Sequence, residues 1–415
     1  VTTELRVPLL LISGLAGEAG RYLADKLRET GTAVVDYDLR RVTEGVVRRR
    51  LRQGPLDALT TLELAHGCVS CTVREDLLPL LRNLARQPAV RRIVVRLDEV
   101  MDPERVCWEL RHVLVGDRAV TDDVEIEAVV TVLDAATWLA DALGDDTLAD
   151  RDLRGAPDDE RTVAQLTLSQ VEFADVLVLA GSAPDAWTAA KTGAVLARVA
   201  PSAPILDLSH VDSKALRVAV PPDARRGEPA DPHGTLLHGQ PPLDPDCGIT
   251  VLTFAAQRPF HPERLHDAID VLLDGVMRTR GRVWVASQPD VALWIESAGG
   301  GLGIGHAGPW LDSPDGPAWE DVSAERRTLA SLRWHPVWGD RAQELVIVTH
   351  QAETAEIEQA LQGALLTDAE LADGHQKWAL YPDPFGEWHE EPCDDDVTAP
   401  ARHDVNTGTG KDDTP

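Results

Sequence analysis

Over the first 210 residues, short apolar runs rich in Val, Ile and Leu alternate with stretches in which apolar side chains recur every three or four positions. The runs predict strands at Leu9–Ser13, Ala33–Asp36, Ile93–Leu97, Ala128–Leu133, Val176–Ala180 and Ile205–Leu208. The periodic stretches predict helices near Glu18–Glu29, Asp76–Arg86, Glu160–Phe173 and Pro184–Val199. Apolar strands separated by helices belong to a parallel sheet covered on its faces, so the expected fold is α/β with a doubly wound, mainly parallel sheet. Thr61–Leu64, with Leu62 and Leu64 alternating, predicts one short extra strand.

The pattern changes after residue 220. Residues 221–247 are Pro, Gly, Asp and His without periodicity and read as a linker. From 248 to 390 the strands Ile249–Phe254, Arg282–Ala286, Ala292–Ser297 and Glu344–Thr349 accompany helices Pro262–Leu273 and Glu353–Leu365. Two of those strands follow one another with no helix between, which predicts a smaller, antiparallel α+β domain. Residues 391–415 are Asp, Thr, Gly and Pro with almost no apolar side chains and read as a disordered acidic tail.

Charge narrows the partners. A net charge of −29 argues against a phosphate-backbone partner, which needs a concentrated basic patch. The densest basic cluster, Arg49-Arg50-Leu51-Arg52, reads as a solvated helix face. No apolar run is long enough to span a membrane, and Val1–Pro8 lacks a basic region followed by an apolar stretch, which argues against a secretory signal. Five cysteines, of which only Cys68 and Cys71 are neighbours, suit a reducing, cytoplasmic compartment better than a disulfide framework.

Two places carry candidate chemistry. The predicted strand Leu9–Ser13 runs into Gly14-Leu15-Ala16-Gly17-Glu18-Ala19-Gly20-Arg21 and then a helix, the setting of a phosphate loop in a P-loop-NTPase-like domain. Gly14, Gly17, Gly20 and Arg21 are the candidate nucleotide contacts, with Asp98 after the third strand as a candidate Mg²⁺ partner through water. Ala19, Gly20 and Arg21 stand where the motif has glycine, lysine and a hydroxyl residue. Ala180-Gly181-Ser182-Ala183 stands where a guanine-reading Asn-Lys-x-Asp would be, and no side chain there serves as its carboxylate acceptor.

The second place is Gly67-Cys68-Val69-Ser70-Cys71. Two thiols at this spacing can chelate a soft or borderline ion, act as a redox pair or be structural. His66 or Glu63 is a candidate third ligand, and His233 and His238 are weaker ones in a chain with 13 histidines. Thr72 and Glu75 at capping-box spacing predict a helix beginning after Cys71, while Pro79 argues for a later start or a kink.

Taken in order, these pieces resemble the CobW family of metal-handling GTPases from about Val7 to His389. The N-terminal resemblance rests on Val7-Pro8 with the glycine loop, the segment Gly67–Leu77, Asp102-Pro103 and Phe173-Ala174-Asp175. In the second half it rests on Arg280-Gly281-Arg282-Val283-Trp284, Trp310, Trp334-His335-Pro336, Gly339-Asp340-Arg341 and Glu344-Leu345-Val346. Leu365–Glu370, Asp383-Pro384-Phe385 and Trp388 continue it, in the pattern of a CobW C-terminal domain. The resemblance implies a GTP- and Mg²⁺-dependent protein that carries zinc or a related ion through a Gly-Cys-x-Cys-Cys motif to a client metalloprotein. Cys68 and Cys71 match the outer cysteines and Ser70 replaces the middle one. The lysine, the Mg²⁺ hydroxyl, the glycine after the third strand and the guanine-reading quartet are absent, so GTP hydrolysis by the standard arrangement lacks its parts. The expectation is a metallochaperone or metal-responsive protein. A pseudo-GTPase scaffold that binds a protein partner through its tryptophan-bearing second domain, and a dithiol oxidoreductase, stand as the other readings.

Overall fold

The computed structural model describes residues 6–64, 69–153, 159–237 and 239–386 and carries two main sheets. The first contains β1 (Val7–Ser13), β2 (Thr32–Asp38), β3 (Val46–Gln53), β4 (Leu56–Glu63) and β5 (Arg92–Arg96). A two-stranded hairpin, β6 (Leu114–Val115) with β7 (Arg118–Ala119), stands apart, and β8 (Val124–Asp134), β9 (Val176–Ala180) and β10 (Ile205–Asp207) complete the large sheet. Its order is β10-β9-β8-β1-β5-β2-β3-β4. The first six of these run parallel, and β3 and β4 extend one edge antiparallel.

Successive side chains of a strand point to opposite faces, and here both faces are covered. On β1, Leu9 and Leu11 enter one core and Leu10 and Ile12 the other, none more than 1% exposed. Helix α1 (Gly17–Lys26) covers the second face with Leu23 and Leu27. Helices α2 (Val69–Ala85) and α3 (Pro103–His112) cover the first. Further helices are α4 (Trp138–Leu143), α5 (Val163–Glu172), α6 (Ala186–Val199) and α7 (Ser213–Ala219).

The second sheet is antiparallel throughout, as the sequence predicts, in the order β11-β15-β12-β13-β14. Its strands are β11 (Thr250–Ala256), β12 (Val276–Val283), β13 (Val291–Ala298), β14 (Gly301–Pro309) and β15 (Gln343–Thr349). Helices α8 (Pro262–Ala268), α9 (Ala324–Arg333) and α10 (Thr354–Ala364) accompany it. Trp284, Trp310 and Trp378 are 0–1% exposed and form a core of their own, so these tryptophans are packing residues.

Two sequence expectations are overturned. The basic cluster at 49–52 lies on a strand, β3, paired on both sides, and its arginines divide between the two faces of the sheet. Helix α2 begins at Val69, before Cys71, and runs through Pro79. Val69, Val73, Leu77, Leu78, Leu81 and Leu84 form one buried stripe, none more than 8% exposed, and that burial outweighs the hydrogen bond that proline removes.

The segment between the two sheets is tied down along its length. Arg111 donates to the carbonyls of Arg226 and Gly227, Ala230 N donates to Glu104, and Arg282 donates to the carbonyls of Pro232 and Gly234. Apolar contact joins the two halves through Ala164, Leu168 and Val171 of α5 against Ile249, Met277, Ala298 and Val348. Beside it, Glu172 at the end of α5 accepts two bonds from Arg278 of β12, at 3.1 and 2.9 Å, and pairs with Arg280 at 3.2 Å.

Burial pushes the Glu172 carboxyl up, but Arg278 and Arg280 outweigh it and leave the group below its ordinary value. A carboxyl lowered by folding stabilises the native state above its unfolded value, and that contribution is lost as pH falls through the folded one. Glu172→Gln is therefore expected to cost about 3–5 kcal/mol at pH 7 in denaturant unfolding, because it leaves Arg278 with Glu296 alone and takes from Arg280 its enclosed carboxylate. Between pH 5 and 3 the wild type should lose more stability than the variant.

Candidate functional site

The turn from β1 into α1 is set by close backbone approach. Ser13 Oγ lies 2.9 Å from Thr131 Oγ1 on β8, which ties the end of β1 to its neighbour. Gly14 has φ +119°, and a Cβ there would fall 2.1 Å from the Val132 carbonyl oxygen, so only glycine fits. Gly17 opens α1, and the residue before it, Ala16, supplies no side-chain cap.

A different side chain approaches that helix end. A Cβ on Gly17 would lie 1.5 Å from Glu99 Oε1, so the Glu99 carboxylate rests against the glycine. The Glu99 side chain is 15% exposed, and its Oε1 lies 3.8 Å from an Arg21 guanidinium nitrogen. The positive end of a helix favours a negative group, and in this chain an internal carboxylate takes up a position against it. At Gly20 a Cβ would make only ordinary contact, 3.7 Å from Arg96 Cδ. A Cβ therefore fits at that position without a close approach.

Asp98 follows β5 and is 4% exposed. Its two oxygens accept from the backbone N–H groups of Leu39 (2.8 Å) and Val100 (3.3 Å), tying the end of β2 to the end of β5. Burial, and then the neighbouring Glu99 charge, pushes its carboxyl up to about 7. Gly14, Gly17, Gly20, Arg21 and Asp98 thus converge around the ends of β1 and β5, as their sequence positions suggest. The donor set does not fit a Mg²⁺-triphosphate bound in the standard way. Position 20 has no ammonium, position 21 no hydroxyl, and a carboxylate lies where an incoming phosphate would meet the helix.

At the second candidate place, Cys71 lies in the first turn of α2, partly exposed, on the side away from the buried stripe. An Arg74 guanidinium nitrogen donates to Cys71 Sγ at 3.9 Å. Both that cation and the helix start favour negative charge on sulfur. Cys68 and His66, and His238 in the later segment, lie outside the described residues. Glu63 ends β4 and is exposed.

His233 is spent elsewhere. Its Nε2 lies 2.8 Å from the Ala307 carbonyl oxygen, its ring packs edge-on to Trp310, and burial pushes its pKa down to about 4. Among the described residues no group of three or more His, Cys, Asp or Glu side chains is placed to hold a metal ion. Sequence reasoning missed the part played by Glu99. The available signal was an acidic pair, Asp98-Glu99, directly after a strand that ends beside a glycine loop.

Comparison with known proteins agrees with this architecture. Residues 21–207 match the CobW/HypB/UreG nucleotide-binding domain, and residues 249–365 match the cobalamin synthesis protein cobW C-terminal domain. The zinc chaperone Rv0106 of Mycobacterium tuberculosis is 42% identical over 427 residues, covering 98% of this chain and 100% of that protein. The zinc-regulated GTPase metalloprotein activator 1 of Dictyostelium discoideum is 25% identical over 407 residues, covering 92% and 84%. Zn(II)-bound YjiA GTPase from E. coli, a solved structure, matches at 16% identity and a TM-score of 0.36, covering 88% of this chain and 100% of that one.

The acidic pair has a measurable signature. A carboxyl raised by folding is protonated in the native state while the unfolded chain is already ionised, so it costs stability as pH rises from about 4 to about 7. Glu99→Gln removes the like charge beside Asp98. The loss of melting temperature between pH 5 and pH 8 is therefore expected to be smaller in the variant than in wild type.

Proposed function

This chain belongs to the CobW family, with a CobW/HypB/UreG nucleotide-binding domain followed by a cobW C-terminal domain, and on that premise we propose that it is a zinc-handling metallochaperone. The ion is cargo, taken by Cys68 and Cys71 with His66 or Glu63 completing the set, and passed to a client metalloprotein. The observation that carries this reading is Cys71 at the partly exposed start of α2, its sulfur beside Arg74. Support comes from end-to-end similarity to a protein named a zinc chaperone. A helix start supplies a rigid base for one ligand and an electropositive setting for thiolate, and an incomplete ligand set leaves a position through which the ion can exchange.

The nucleotide-binding domain, in this proposal, serves as a scaffold rather than a GTP hydrolase. The Glu99 carboxylate against Gly17 and the missing lysine and hydroxyl support that part. A reading in which the chain acts only by binding a protein partner has its own observation. Trp319 and Trp334, 39% and 40% exposed, lie with ring centres 5.6 Å apart, and Leu332 nearby in the chain is 77% exposed.

Zinc titration of the full chain by calorimetry and thermal shift separates these. Saturable binding should stabilise the protein by about 2.7 kcal/mol at a hundredfold excess over Kd. The shift should vanish in the Cys68→Ser/Cys71→Ser double variant, and a wild type that shows none sinks the metallochaperone reading. With Mg²⁺-GTP, phosphate release is expected to stay at the protein-free background, and catalytic turnover would refute the scaffold assignment.

A further inference from the structure

The misread basic cluster opens a site that the zinc reading does not use. Alternation along β3 puts Arg48, Arg50 and Arg52 on one face, opposite Asp38, Asp36 and Val34 of β2 in register. That face looks toward α1, and between them is a cleft of about 200 Å³ lined by six arginines and three aspartates. Four elements supply the arginines: Arg21 from α1, Arg40 from the segment after β2, the three of β3, and Arg96 from β5.

Most of the positive charge is matched. Asp36 is shared by Arg52 at 2.6 Å and Arg96 at 3.0 Å, and Asp25 also pairs with Arg52. Asp38 takes Arg40, and Asp57, outside the cleft lining, takes Arg50 at 2.6 Å. Glu99 holds Arg21 only at 3.8 Å. Two groups are left over. Arg48 has no hydrogen-bond or ion-pair partner among the described residues, although it faces the cleft and is only partly exposed. The Nε of Arg52 has none either, on a side chain that is 8% exposed. Leaving a buried guanidinium N–H unpaired is costly, and Arg52 shares that feature with other arginines of the chain, so the unpartnered Arg48 is what distinguishes this cleft.

From this convergence we infer that the cleft between α1 and the β2–β3 face binds a phosphoryl group, as inorganic phosphate or as the end of a phosphorylated small molecule. Planar guanidinium forks facing one cleft from β3 and α1 suit a tetrahedral oxyanion, whose acceptor oxygens point in several directions, and Arg48 is the lining arginine with no partner among the described residues to compete for it. A carboxylate keeps its acceptors in one plane and suits forks that approach from facing elements less well. The volume takes a phosphoryl group and a few atoms beyond it, and is smaller than the clefts that enclose whole organic ligands. Leu59, 64% exposed, forms an apolar wall for those further atoms. The site lies beside α1 and borders the glycine loop at Arg21, while Arg48, Arg50 and Arg52 reach it from β3, away from the Gly17 end where Glu99 rests.

The test is calorimetric titration of the full chain with inorganic phosphate and, separately, with GTP in the absence of Mg²⁺. Wild type, Arg48→Gln, Arg48→Lys and Glu99→Gln are compared. Saturable binding should weaken at least about tenfold in Arg48→Gln and less in Arg48→Lys, which keeps the charge and loses the fork. The apo melting temperatures of both variants should stay at the wild-type value. Saturation by inorganic phosphate identifies the free ion as sufficient, and saturation by GTP alone assigns the phosphoryl group to an esterified ligand. No saturable binding of either, or equal affinity in wild type and Arg48→Gln, overturns the proposal. So does binding that responds to Glu99→Gln and not to Arg48→Gln, because the anion would then be in the glycine loop. None of these outcomes depends on zinc, so failure here leaves the metallochaperone reading untouched.

Discussion

One enclosed carboxylate joins the two halves of this protein. Glu172 ends α5 of the first domain and meets Arg278 and Arg280 of the second sheet, and Arg278 reaches on to Glu296 at 3.1 Å. Apolar contact around Met277 and Val348 supplies non-directional attraction, whereas the forked pairing fixes how β12 lies across α5. Two charges out of water are a poor source of net stability but a strong penalty against misplacement. The strap from 221 to 237 obeys the same geometry, since its bonds run to Asp175 on one side and Arg282 on the other.

The acidic composition takes on meaning once the strands are placed. Carboxylates do two kinds of work inside the first domain. Asp36 and Asp76 neutralise Arg52 and Arg49, which the antiparallel extension brings against the sheet, and Asp36 also takes Arg96 of β5. Asp98, after β5, and Asp175, before β9, accept backbone N–H groups of Leu39 and Val129 and stitch distant segments together. Glu99 belongs to neither group, since it lies against a glycine at a helix start.

The parallel sheet was legible because its strands are buried on both faces and read as unbroken apolar runs. Leu9–Ser13 and Val176–Ala180 needed no tertiary information. β3 was not legible, since four arginines in eight residues have strand character only once β2 and β4 pair with them. β14 escaped for the opposite reason. Its glycines carry no side-chain pattern, and its pairing with β13 supplies the order. At the candidate sites spacing singled out the glycines and the two cysteines as candidates. The approach of Glu99 to Gly17 joins residues 82 positions apart, and it depends on β5 lying beside β1. Local pattern carries no record of such a contact.

That contact bears on what information the first domain can hold. A glycine loop that awaits phosphate has two electrostatic conditions, filled and empty, and a switch reads the difference between them. With a carboxylate of its own against the helix start, this loop meets a negative charge from within the chain before any ligand arrives. The contrast between its two conditions is smaller than in a loop left open, and Gly14 and Gly17 act first as points of close backbone and side-chain approach where β1 turns into α1.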